Sequence, residues 1–162
     1  MITEIPTSAD FERTSVSLLN LAWDTVSSLL LHAEQSQMHV WDDEGTVTQE
    51  FWTSAQQPLG SALALIQQGV EFLLKARIAE VSPYLLLDRS VRDWPRDSGS
   101  RDTTYSEFRT VDAQDLVRLC DTVRSGRLDP AFVQRIDTLR RARNAHMHTV
   151  VKSSQHTPQG LW

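Results

Sequence analysis

Near the end of the 162-residue chain stands the run Arg143-Asn144-Ala145-His146-Met147-His148, dense in side chains that hold phosphate or move protons. Imidazole exchanges a proton close to neutrality. Guanidinium is a permanently charged fork whose geometry matches phosphate oxygens. On a helix advancing about 100° per residue, Asn144 and His148 lie one turn apart on one side, with Val133 and Val151 in the same sector. Arg140 and Arg141 bracket that sector with positive charge. Phe132, Ile136, Leu139 and Val150 share a different face that reads as core, and Arg143 and His146 lie near it. A buried face plus a second surface of His, Asn, Arg and Val predicts a second contact, with a partner subunit, a ligand or both. The plain alternative is a solvated polar face.

Each residue also has a structural reading. His146, nearer the apolar stripe, reads as a satisfied core histidine. Arg143 reads equally as a structural arginine bonded to Glu71 or another carboxylate. Glu71 and Lys75 are spaced for an i,i+4 ion pair worth a few tenths of a kcal/mol. His146 and His148 diverge by about 200° on a helix and cannot share one ion unaided. His32 and His39 have no acidic or cysteine partner at ligand spacing. No metal and no cofactor are expected.

The elements that must position these residues are all helical. A first helix starts at Thr7 or Ser8, with Leu18, Leu19, Ala22, Trp23, Val26, Leu29, Leu30 and Ala33 on one wide apolar face. A loop follows at Asp42-Asp43-Glu44-Gly45. A second helix runs from Gln49 or Pro58 to Ala79, apolar around so much of its girth that it is expected to be central. Pro83 opens a short turn through Leu87, and residues 88–110 read as a polar loop. Asp112 caps a third helix buried through Leu116, Leu119, Cys120 and Val123, which Ser125-Gly126 stops. Asp129-Pro130 opens the last one, with Asp as cap and Pro in the first turn. The expected fold is all-α, a bundle of four or five helices, with one domain over 1–152 and a polar tail over 153–162.

Bulk composition narrows the classes further. One cysteine excludes an internal disulfide framework and favours a reducing compartment. Cys120 falls on an apolar stripe and reads as core. The N-terminus lacks the basic-then-apolar order of a signal peptide. Residues 51–70 carry no formal charge, yet Gln56, Gln57, Pro58, Gly60, Gln67 and Gln68 make them too polar for a membrane span. A soluble, cytoplasmic protein without a membrane partner is expected. The net charge of −5 argues against coating nucleic acid through bulk electrostatics. Its distribution is uneven: residues 1–60 hold nine acidic side chains and one basic, whereas 129–162 hold five basic and two acidic. The chain therefore becomes positive at its C-terminal end, which leaves room for local phosphate binding there.

Arg143-Asn144-x-x-x-His148, late in the final long helix of a small bundle, resembles the R-N-x-x-x-H motif of the HEPN superfamily. The central segment Gly69 to Ala76 with Ser82-Pro83-Tyr84-Leu85-Leu86 is similar to that family's preceding helix and its exit, so the resemblance spans roughly residues 8–152. It implies a metal-independent endoribonuclease, a toxin or defence effector, acting as a homodimer whose two motifs face each other. RNA would be the substrate, and an antitoxin or regulatory protein a further partner. His148 would move the proton, Arg143 would hold the phosphate, and Asn144 would orient the imidazole or bond a phosphate oxygen. Arg140 and Arg141 would seat the backbone, with Glu71, Lys75 and His146 in support. Some family toxins carry a tyrosine two residues after the motif histidine; here Val150 stands there, which removes control by tyrosine modification. A non-catalytic HEPN domain binding a nucleotide, RNA or protein is the alternative reading, and the acidic first sixty residues suit it. A helical adaptor with a coincidental motif is the third.

Overall fold

The computed structural model describes residues 1–36, 40–43, 45–88, 94–95 and 101–148, with the backbone alone for 146–148. Helix α1 spans Ser8–Gln35 and α2 spans Gln49–Ala79. Thr7 caps α1 reciprocally: its hydroxyl accepts from the Asp10 amide at 3.3 Å, and its own amide donates to the Asp10 carboxylate at 2.9 Å. Thr48 caps α2 by accepting from the Phe51 amide.

The two helices form a long antiparallel hairpin, with Ser15 beside Gly69 at one end and Leu29 and Ala33 clustered with Phe51 and Ala55 at the other. The buried Ser15 hydroxyl donates to the Gly69 carbonyl at 2.8 Å. A Cβ at Gly69 would stand 2.9 Å from Leu19 Cγ, so only glycine lets the helices approach this closely here.

A 3₁₀ turn at Pro83–Leu86 leads off α2, and α3 (Ala113–Val123) and α4 (Pro130–His148) follow. Both short helices pack on the C-terminal half of α2, and each touches α2 far more than it touches the other. The main core gathers Phe11, Leu74, Ile78, Leu86, Leu116 and Cys120, with Phe132 and Ile136 of α4 packed against it. Burial pushes the Cys120 thiol up and keeps it protonated, in keeping with a core role.

Two expectations need correction. The 88–110 segment is more than a polar loop. Two-residue strands β1 (Ile2–Thr3) and β2 (Thr103–Thr104) pair in parallel, and a 3₁₀ turn at Tyr105–Glu107 follows. Tyr105 and Phe108 are buried with Leu87 in a small satellite core. The Tyr105 hydroxyl donates to the Pro83 carbonyl at 2.9 Å, and burial raises its pKa to about 12. A two-residue strand is too short to leave an alternating pattern in the sequence. The second correction concerns α1: Trp23 is 72 % exposed and Leu30 50 %, outside the core that the apolar spacing predicts for them, because no third helix among the described residues covers that side.

Replacing Gly69 with valine is expected to lower stability by about 1–3 kcal/mol through overpacking. Urea unfolding followed by circular dichroism measures it, and an unchanged midpoint would show that the hairpin tolerates a wider separation.

Candidate functional site

Helix α4 is fixed at its start by its own capping chemistry and by the core. Asp129 accepts from the Ala131 amide at 2.9 Å, and Phe132 and Ile136 seat on the main cluster. That rotation turns Val133, Asp137 and Arg140 towards α3. Because α3 and α4 splay apart over α2, a groove of about 590 Å³ opens between them. Its walls include Val117, Arg118 and Asp121 from α3 and Val133, Asp137 and Arg140 from α4, with Arg127 at the turn. A second hollow of about 610 Å³ shares Asp121, Arg127, Val133 and Asp137 and extends the groove to the start of α4.

The turn between these helices is held by two devices. Gly126 adopts φ 122°, a conformation that L side chains avoid. The Asp121 carboxylate then accepts the Leu128 amide at 2.8 Å, tying α3 to the entry of α4. Arg127 is thereby set at the groove wall, and neither it nor Arg118 makes an ion pair among the described residues. Sequence reasoning missed both arginines, since their place opposite α4 depends on the packing of α3.

Arg140 and Arg141 are differently placed. They clamp Asp137 from one turn away, at 2.8 and 2.6 Å. The Arg140 hydrogen bond, with the charge of Arg141 beside it, holds the Asp137 carboxyl below its ordinary value. The two expected phosphate ligands are therefore already engaged with an internal carboxylate.

Arg143 is half-buried and Asn144 exposed. The Arg143 guanidinium donates to the Asn144 side-chain oxygen at 3.2 Å. Among the described residues it meets no carboxylate, which removes the structural pairing with Glu71. Glu71 instead accepts from Gln67 at 3.0 Å, and Lys75 stands over the Phe72 ring at 5.3 Å. The expected Glu71–Lys75 pair does not form among the described residues, and neither residue joins α4's charged face. The α4 backbone continues in helical register to His148, four residues past Asn144. The side chains of His146 and His148, and the 153–162 tail, lie outside the described residues.

This arrangement suits an extended anion. Three arginines and two aspartates face the groove, so it carries a small positive excess within an acidic chain. No family model, curated protein or solved structure matches the chain. No helix among the described residues is long and apolar enough to cross a membrane.

Because the folded-state pKa of Asp137 is depressed, its ion pairs persist above 3.8 and are lost as pH falls through the lower folded value. Carboxyl-detected NMR should place the Asp137 midpoint below 3.8, and Arg140→Ala should move it back up. A midpoint indifferent to Arg140→Ala would break the assignment of the shift to that hydrogen bond.

Proposed function

We propose that the protein is a metal-independent endoribonuclease of HEPN type, a toxin or defence effector acting as a homodimer, with its chemistry at the C-terminal end of α4. The observation that carries this reading is Arg143. It is bonded only to its neighbour Asn144 among the described residues, on the helix that also walls the arginine-lined groove. A guanidinium without a carboxylate keeps its charge available for a phosphodiester.

The reaction is an internal transesterification. The ribose 2′-oxygen attacks phosphorus, the bond to the 5′-oxygen breaks, and a 2′,3′-cyclic phosphate and a 5′-hydroxyl remain. A proton leaves the 2′-hydroxyl and another reaches the departing 5′-oxygen. His148 serves this transfer, since imidazole titrates near working pH. Arg143 offsets the charge that grows on the phosphoryl oxygens in the transition state. Asn144, one turn before His148, orients the imidazole or bonds a phosphoryl oxygen. Arg118 and Arg127 supply the sequence-independent grip along the groove, where each phosphate contact adds to affinity and to its salt dependence. Arg140 and Arg141 contribute to substrate binding only by sharing or leaving Asp137.

That prior commitment favours one second reading, an RNA- or nucleotide-binding HEPN domain without cleavage. Fewer free cations then suffice, because binding needs no stabilised transition state.

Purified protein in EDTA should cleave total RNA and leave cyclic-phosphate ends, while folded His148→Ala and Arg143→Ala variants lose at least about a hundredfold in rate. Equal cleavage by all three would trace the activity to a contaminant. Salt-sensitive RNA binding without cleavage by any of them would establish the binding module instead.

A further inference from the structure

Asp137 stands in the wall of the α3/α4 groove with two guanidinium groups upon it. Val133, Asp137 and Arg140 follow one another at i, i+4 and i+7 and line the groove from α4. The Asp137 carboxylate, itself half-buried, takes Arg140 at 2.8 Å on one oxygen and Arg141 at 2.6 Å on the other. Both oxygens are thereby committed, and so are the two arginines that come just before Arg143.

Other paired carboxylates of the chain hold separate segments together. Glu80 joins the end of α2 to Arg124 at the end of α3, and Arg109 draws Asp88 and Asp112 to one place. Asp10 and Glu107 close capping boxes. Asp137 does neither. Its partners among the described residues stand three and four places along its own helix, which Phe132 and Ile136 already seat. Exposed pairs at this spacing add little to stability. Folding does not need an acid here, whereas the groove feels it directly. Arg118, Arg127 and Arg140 are the groove's cations and Asp121 and Asp137 its anions, three against two. Asp121 accepts the Leu128 amide and holds the turn. The partners of Asp137 are long side chains that can swing away. Without its charge the groove would hold three cations against one anion, and Arg140 and Arg141 would be released from their carboxylate.

We propose that Asp137 is an internal anion that competes with substrate phosphate for Arg140 and Arg141, so that RNA gains their grip only by displacing it. The competition rests on the reading of α4 and the groove as the place where RNA binds. First contact falls to Arg118 and Arg127, which make no ion pair among the described residues. A phosphodiester oxygen then takes each guanidinium from Asp137, exchanging one charge-assisted hydrogen bond for another. The exchange is easy because the pairs are weak and solvent-facing, and no buried charge is stranded. When RNA leaves, the carboxylate recaptures its arginines. Asp137 thus lowers affinity and hastens the departure of bound RNA.

A double-mutant cycle on the full chain in EDTA tests this, with a short fluorescein-labelled oligouridylate as probe and His148→Ala present throughout to prevent cleavage. Asp137→Asn should bind the probe about threefold tighter or more at low salt. The slope of log affinity against log salt should steepen by about 0.7 for each arginine that gains a phosphate. Asp137→Glu, which still reaches both arginines, should bind like the parent. In a chain already carrying Arg140→Gln and Arg141→Gln, Asp137→Asn should recover only a small part of that gain. Asp24→Asn, which removes an exposed charge from α1, should change nothing. An equal gain in both backgrounds overturns the proposal, because Asp137 would then act through its own charge alone. So does an Asp137→Asn chain that binds no tighter, or an absence of RNA binding by every variant at low salt. A second measurement needs no substitution at Asp137: tripolyphosphate added to the parent should shift the NMR signals of the Asp137 carboxyl carbon and the Arg140 Nε together. If neither moves, the proposal is overturned. Cleavage separates this proposal from the ribonuclease reading. Tighter binding by Asp137→Asn, with no cleavage in EDTA by the chain that keeps His148, retains the competing carboxylate and loses the ribonuclease. Cleavage with unaltered binding does the reverse.

Discussion

The Ser15 hydroxyl, buried between two helices, gives its proton to the Gly69 carbonyl across 2.8 Å. Close packing at this point depends on the missing Cβ of Gly69, which would otherwise stand 2.9 Å from the Leu19 side chain. With α1 drawn tightly onto one side of α2, the other side, carrying Leu74 and Ile78, is left for Leu116 and Cys120 of α3 and for Phe132 and Ile136 of α4. The rotation of α4 follows from that seating. Its charged side, with Asp137 and Arg140, is turned into the groove because its apolar side is taken. Site geometry at the C-terminal end is thus a consequence of helix packing set some seventy residues earlier.

Much of this was legible beforehand because it rests on local chemistry. Thr7, Asp129-Pro130 and the Ser125-Gly126 stop announce helix ends through side-chain caps and a positive φ, and each acts within a few residues of its own position. The girth of apolar residues on α2 announces a central helix, since only neighbours on several sides can bury them. The tiny β1–β2 pair was not legible, because two residues carry no period and the partners are a hundred residues apart. The apolar spacing of α1 puts Trp23 and Leu30 in the core for an equally physical reason. A helical wheel reports which residues share a face, and it is silent on whether anything covers that face.

The candidate site shows the same division. Register alone puts Asn144 and His148 a turn apart. It does not reveal that Arg140 and Arg141 spend their charge on Asp137, nor that Arg143 turns to Asn144 rather than to Glu71. Those outcomes depend on side-chain reach and on which helix lies opposite. Arg118 and Arg127 enter the groove for the same kind of reason: one is an exposed residue of α3, the other follows a left-handed glycine, and only the splay of α3 from α4 brings both to one cavity.

Two surfaces of the fold are left open, and their chemistry keeps them apart. The hairpin face offers apolar side chains with hydroxyls and amides between them and almost no charge, so a polyanion gains nothing there and an apolar partner loses little solvation on docking. The α3/α4 groove offers guanidinium groups balanced in part by carboxylates, so an apolar partner would strand charges out of water while a phosphate chain would meet them. A bundle of this size could have closed both by folding α3 and α4 along the full length of α2. Instead α2 ends at Ala79, Pro83 opens a 3₁₀ turn beyond it, and the eleven-residue α3 packs on only one half of the hairpin. The packing of α3 and α4 on one half of α2 is therefore what opens the groove there and, among the described residues, leaves the other half of the hairpin without a helix upon it.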